Sequence, residues 1–166
     1  MQLTIRKAVG NDAAAYLAFL KTVGGETDNL SFGKDGITAS PDAYAKVIDR
    51  VDASENSAML LALDGSEIVG YCGIYGGDGR TAHRAEIAIF IRRDHWHLGI
   101  GSALLTEAKK VAQGFGMHIL FLDVRSDNTR AISLYQKCGF TKTGVWHDFF
   151  RIDGQYYDVD CMELML

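Results

Sequence analysis

The sequence predicts a mixed α/β (α+β) fold in which helices pack around one sheet. Three observations carry that expectation. Short segments alternate apolar and polar residues with the period of a strand, a longer segment carries apolar residues at helical spacing, and the order of elements is β-α-α-β-β-β-α-β-α-β-β. A meander in the middle of the chain is thus followed by βα units.

Leu3 to Lys7 alternates and opens the chain as a half-buried strand. Asp12 stands where it can cap a first helix whose Ala13, Leu17 and Leu20 share a face. Residues 24–39, rich in Gly, Ser, Thr and Asp, are expected to form a loop. Ser40-Pro41 follows as an N-cap with proline in the first turn of a second helix, which reaches about Val51. Residues 58–63, the turn Asp64-Gly65-Ser66 and residues 67–75 predict a β-hairpin. The next strand, 85–91, sets Glu86, Ala88 and Phe90 on one face and Ile87, Ile89 and Ile91 on the other. Ile100, Leu104, Leu105, Ala108, Val111 and Ala112 mark a helix closed by Gly114 and Gly116. Residues 119–124 read as a continuous apolar strand, expected at the centre of the sheet. Asn128 caps a last helix that stops at Gly139, and residues 140–166 predict two strands joined at Asp153-Gly154.

A chain of 166 residues is expected to form one domain, 1–166, and to bury a core without disulfide or metal support. A net charge of -4 with no Lys/Arg-rich run disfavours nucleic acid and anionic membrane as partners. The N-terminus has no signal-peptide core and no apolar run spans a bilayer, so a cytoplasmic protein is expected. Cys72, Cys138 and Cys161 are odd in number and lack CxxC spacing, which points to reduced thiols. His95 and His97 flank Trp96 without a third ligand at zinc spacing, so no metal is expected.

Two segments carry chemistry. Trp96-His97-Leu98-Gly99-Ile100-Gly101-Ser102 leads from a strand into a helix. A helix start offers unpaired N–H groups and partial positive charge, and glycines let a diphosphate approach the backbone. A tight strand-to-helix turn explains the glycines equally well. A dinucleotide fingerprint lacks its third glycine, because position 104 is Leu104, and no P-loop Gly-Lys-Ser/Thr occurs. In the second segment Asn128, Ala131 and Tyr135 are spaced to share one helix face. They offer a ligand amide contact, room for a chain-like ligand and a phenolic proton. A cap, a core alanine and a packed tyrosine are the plainer alternative.

Together these residues resemble the GNAT superfamily of N-acetyltransferases. Its pyrophosphate motif, Gln/Arg-x-x-Gly-x-Gly/Ala, is matched by Trp96-x-x-Gly99-x-Gly101, with Trp96 as the departure. Its second motif is matched by Asn128, Ala131, Tyr135, Lys137, Gly139 and Phe140. The resemblance runs from about Ile5 to the end of the sequence and is most specific from Ala85 to Phe140. It implies a largely antiparallel V-shaped sheet flanked by helices, with acetyl-CoA wedged between splayed fourth and fifth strands.

On that implication the main chain of Trp96, His97, Leu98, Gly99, Ile100, Gly101 and Ser102 holds the pyrophosphate. The backbone of Ile89 and Ile91 pairs with the pantetheine arm, and Asn128 and Ala131 complete the coenzyme site. Tyr135 is the expected general acid for the leaving thiolate. Glu86, a lone acid on an apolar strand, is the candidate base; a solvated residue at the strand entrance is its alternative. A base is useful because an amine of pKa ~10.4 is almost wholly protonated at neutral pH. The resemblance also implies that the loop after the first helix walls the acceptor site. Glu26 and Asp28 would attract an ammonium group there, with Leu30 and Phe32 flanking an alkyl chain; a solvated loop with two core plugs is the alternative.

The expected function is acetyl transfer from acetyl-CoA to a primary amine of a small molecule. The rivals are a protein N-terminus as acceptor, another acyl donor such as succinyl-CoA, and an acyl-CoA-binding module without catalysis. A homodimer is admitted.

Overall fold

A computed structural model describes residues 2–166. The strands are β1 (Leu3–Lys7), β2 (Ser57–Asp64), β3 (Glu67–Gly76), β4 (Arg84–Ile91), β5 (Ile119–Arg125), β6 (Thr141–Ile152) and β7 (Gln155–Met165). The helices are α1 (Ala13–Glu26), α2 (Pro41–Asp52), α3 (Ile100–Gly114) and α4 (Thr129–Lys137). Their order is the predicted one. Local chemistry explains most boundaries. The Ser40 hydroxyl accepts the Ala43 N–H at 3.2 Å, capping α2. Gly116 and Gly139 turn the chain out of α3 and α4 with φ of 73° and 96°. Asp153 and Gly154, at φ 49° and 83°, make the primed turn that matches strand twist between β6 and β7.

Two expectations at α1 need correction. Asp12 does not cap the helix with its side chain. Its carboxylate is held by the Arg6 guanidinium at 2.7 and 2.8 Å and by the Val9 N–H at 2.9 Å, in a short 3-10 turn that precedes α1. Nor does the loop start at Gly24, because α1 runs on to Glu26. Gly24 is buried there, and a Cβ on it would collide with the Gly33 carbonyl. The glycine serves a close crossing of helix and loop rather than a break in the helix.

The seven strands form one sheet in the order β1-β2-β3-β4-β5-β7-β6. Every pairing is antiparallel except β4 with β5. That parallel ladder has only three rungs, Arg84↔Ile119, Ala85↔Leu120 and Glu86↔Phe121. Beyond Glu86 the two strands part. β4 stays paired to β3 as far as Ile91, and β5 to β7 as far as Arg125. Each arm is therefore held by its outer neighbour while the inner edges separate, and the sheet opens as a V.

One core lies between the sheet and α3, built on Leu104, Leu105, Ala108, Leu120, Leu122 and Phe140. The other, on the opposite face, gathers Tyr16, Leu20, Ile48, Leu61 and Tyr71 under α1 and α2. β5 is central as predicted but not apolar throughout. Leu120, Leu122 and Val124 are buried, whereas Asp123 on the other face is exposed where the V opens. No helix among the described residues is long and apolar enough to cross a membrane.

Candidate active site

The parted strands border a cleft of about 970 Å³, closed at its sides by the starts of α3 and α4 and by the β6–β7 hairpin. The Arg92 N–H donates to the Val69 carbonyl at 3.0 Å, on the β3 side. Backbone groups alternate along a strand, so those of Ile87, Ile89 and Ile91 turn toward the missing β5 neighbour. An extended ligand could pair with that free edge as an added strand would. Ile91 is only partly available, because its carbonyl accepts the Trp96 indole N–H at 2.8 Å.

The turn into α3 contains two left-handed residues, His97 at φ 65° and Gly99 at φ 80°. The first α3 bond runs from the Ala103 N–H to the Gly99 carbonyl at 3.0 Å. The preceding N–H groups, through Ser102, therefore have no helical partner, and Gly99, Ile100, Gly101 and Ser102 all border the cleft. A Cβ on Gly99 would meet nothing within 4 Å. Gly101 differs: its Cβ would stand 2.7 Å from Leu134 Cδ2 and 3.1 Å from Ile91 Cδ1. Its bareness first serves the packing of α3 against α4 and β4. Leu98 is 51% exposed and lies outside the cleft lining, unlike its neighbours.

On α4 the Asn128 side chain accepts the Ala131 N–H at 3.3 Å and caps the helix. Ala131, Leu134 and Tyr135 face the cleft. The Tyr135 ring is buried and packs edge-on against Phe140 at 5.9 Å. Burial pushes its phenol well above the usual range, and the nearby Cys72 and Cys138 add to the shift. Such a phenol keeps its proton at neutral pH.

Glu86 borders the cleft at the last β4–β5 rung, on the face that carries α1 and α2. Asp123 lies two residues past that rung on β5 and also borders the cleft. Sequence reasoning absorbed Asp123 into an apolar run; an acid inside that run was the available signal. Phe149, Phe150 and Val159 were likewise unforeseen as cleft residues. The two phenylalanines arrive through a bulge in β6, where the register with β7 shifts between Trp146 and Phe150. Asp148 takes φ 52° there, and the Asp158 carboxylate holds both the Asp148 N–H and the His147 ring at 3.0 Å.

The loop after α1 reaches across the mouth of the V. Glu26 accepts the Arg93 N–H at 2.8 Å, beyond the end of β4. Asp28 pairs with Arg125, at the end of β5, at 3.2 Å. Arg125 also grips Asp127 at 2.9 and 2.5 Å and lies 3.9 Å from the centre of the Tyr157 ring. Both acids expected to draw an ammonium group are thus engaged in tying the loop down. Leu30 borders the cleft, while Phe32 packs edge-on against Phe90 at 5.4 Å in the core under α1.

The chain matches the Acetyltransferase (GNAT) family over residues 29–140. Its fold superposes on an acetyltransferase of the GNAT family from Streptococcus pneumoniae with a TM-score of 0.96, at 34% identity over 99% of both chains. It also superposes on yncA from Salmonella typhimurium, described with its cofactor acetyl-CoA, with a TM-score of 0.86, at 21% identity over 100% of this chain and 95% of that one. Among curated relatives, N-alpha-acetyltransferase RimI of Mycobacterium tuberculosis is 31% identical over 61% of this chain and 63% of its own. The spermidine N(1)-acetyltransferase of Vibrio cholerae is 33% identical over 50% of this chain and 49% of its own. The match therefore spans only about half to two-thirds of those relatives.

Proposed function

Because the chain belongs to the acetyltransferase (GNAT) family, we propose that it transfers an acetyl group from acetyl-CoA to a primary amine of a small molecule. The observation that carries this reading is the three-rung β4–β5 ladder, which opens beside the unpaired amides at the start of α3 and the protonated phenol of Tyr135. Acetyl-CoA supplies an activated thioester. The residues present fit it: a free strand edge for the amide-bearing pantetheine arm, and orphan N–H groups with a bare Gly99 for the diphosphate. The acetyl-CoA named with the Salmonella neighbour supports the same donor.

In this reading Tyr135 gives its proton to the departing sulfur, and Glu86 accepts the proton released by the amine, directly or through water. Ile87 and Ile89 N–H groups face the gap and can stabilise charge on the carbonyl oxygen. Leu30, Phe149, Phe150 and Val159 wall the acceptor end with apolar surface, which favours a compact amine bearing an apolar or alkyl portion. The spermidine N(1)-acetyltransferase relative agrees with a small-molecule acceptor. A peptide N-terminus is the second reading, favoured by the RimI relative. Residues 1–166 are taken as one catalytic domain acting in the cytoplasm, consistent with the absence of a membrane-spanning helix among the described residues.

The test is acetyl transfer from acetyl-CoA across polyamines, amino acids and short peptides. Turnover on a small amine, lost in the Tyr135→Phe variant, supports the proposal. Turnover confined to peptides would move the acceptor to protein N-termini, and binding of acetyl-CoA without turnover on any amine would leave a coenzyme-binding module.

A further inference from the structure

Two guanidinium groups converge on Trp96. Arg130, in the first turn of α4, lies 3.1 Å from the centre of its ring, and Arg93 lies 5.5 Å away. Among the described residues the ion pairs of arginine belong to Arg6, Arg84, Arg92 and Arg125, so neither Arg93 nor Arg130 has an acidic partner. The acids nearby, Asp28 and Asp127, are engaged by Arg125. Burial lowers the Arg130 pKa, and the charge of Arg93 lowers it further. Two like charges crowded together without a counter-charge are unfavourable unless an anion joins them.

Trp96 is what assembles the pair. Its indole N–H is fixed to the Ile91 carbonyl at 2.8 Å, which folds the ring over the end of β4. The ring thereby faces the start of α4 across the mouth of the V, and both arginines border the same polar recess. The indole carries no charge, so the cationic side chains at this turn come from Arg93 and from α4.

Resting on the acetyl-CoA reading above, we infer that Arg130 and Arg93, positioned by Trp96, bind a phosphate group of the coenzyme. Distance favours a phosphate over an acceptor carboxylate. Arg130 precedes Tyr135 by five residues, about 7.5 Å along the helix axis, and its side chain extends away to Trp96. A carboxylate one carbon from the reacting amine cannot span that separation, whereas the coenzyme's phosphates lie at the far end of its pantetheine arm. Trp96 is then a positioning residue, and the arginines are binding residues.

The experiment measures dissociation constants by calorimetry for CoA, 3′-dephospho-CoA and phosphate-free S-acetylpantetheine. The proteins are wild type, Arg130→Gln, Arg93→Gln, Trp96→Ala and Trp96→Phe. The inference expects Arg130→Gln to weaken CoA about 10- to 100-fold, the range for a charge-assisted contact, and to leave S-acetylpantetheine unchanged. Trp96→Ala should follow Arg130→Gln, and Trp96→Phe should restore most of the affinity. A loss that vanishes with 3′-dephospho-CoA assigns the site to the 3′-phosphate; an equal loss assigns it to the diphosphate. Unchanged CoA affinity in both arginine variants, or an equal loss for S-acetylpantetheine, overturns the inference. So does an effect confined to the Michaelis constant of the acceptor. Failure of wild type to bind CoA at all would instead overturn the acetyl-CoA reading on which the inference rests.

Discussion

Tyr135 is suited to give up a proton because burial disfavours its phenolate. If it protonates the departing thiolate, Tyr135→Phe should lower kcat about 10²- to 10⁴-fold and leave the acetyl-CoA dissociation constant within about twofold. The raised phenol has a consequence for pH. A group whose pKa lies above the usual ~10 stays protonated below it, so Tyr135 should impose no alkaline loss of kcat up to about pH 9. A fall in kcat near pH 8 that disappears in Tyr135→Phe would contradict this. Glu86 and Asp123 border the acceptor side of the opening from different strands. Measuring kcat/KM against pH in Glu86→Gln and Asp123→Asn assigns the base: the account expects a loss of about 10²-fold or more in Glu86→Gln and a smaller one in Asp123→Asn.

At the scale of elements, the sequence announces what short-range chemistry decides. Ser40 before Pro41, Gly139 after α4 and Asp153-Gly154 between β6 and β7 all act where their spacing predicts. What needs distant partners is not announced. Gly24 and Gly25 look like the start of a loop until Gly33 is seen crossing the helix. Asp123 looks like part of a buried run until β4 leaves β5. The β6 bulge depends on Asp158 reaching back from β7. The two α1 glycines supply a paired test by thermal unfolding. Gly24→Ala drives a Cβ into the Gly33 carbonyl and should cost about 1–3 kcal/mol. Gly25→Ala meets only Lys34 Cβ at 3.7 Å and should be neutral or stabilise by up to ~1 kcal/mol. Equal effects of the two substitutions would refute the account of the crossing.

For the whole molecule, the V is made by unequal pairing. Outer neighbours hold β4 and β5 while the loop after α1 ties their far ends through Glu26, Asp28 and Arg125. At the opposite edge, the hydrogen-bonded Arg6 holds the Asp12 carboxyl below the usual carboxylate range, against the opposing effect of burial. A depressed folded pKa contributes stability above the unfolded value of ~3.9 that is lost as pH falls through the folded one. The midpoint of thermal unfolding should therefore drop below about pH 4, and Asp12→Asn should flatten that acid limb while lowering stability at pH 7.

The central claim is that acetyl-CoA occupies the gap between β4 and β5. Ala131 borders that gap from α4, where a larger side chain is compatible with the helix. Calorimetric titration of acetyl-CoA into wild type and Ala131→Leu tests the claim most directly. The account predicts binding to wild type and a loss of about 100-fold or more in the variant, with the unfolding midpoint nearly unchanged. Equal affinity in the two proteins would contradict it.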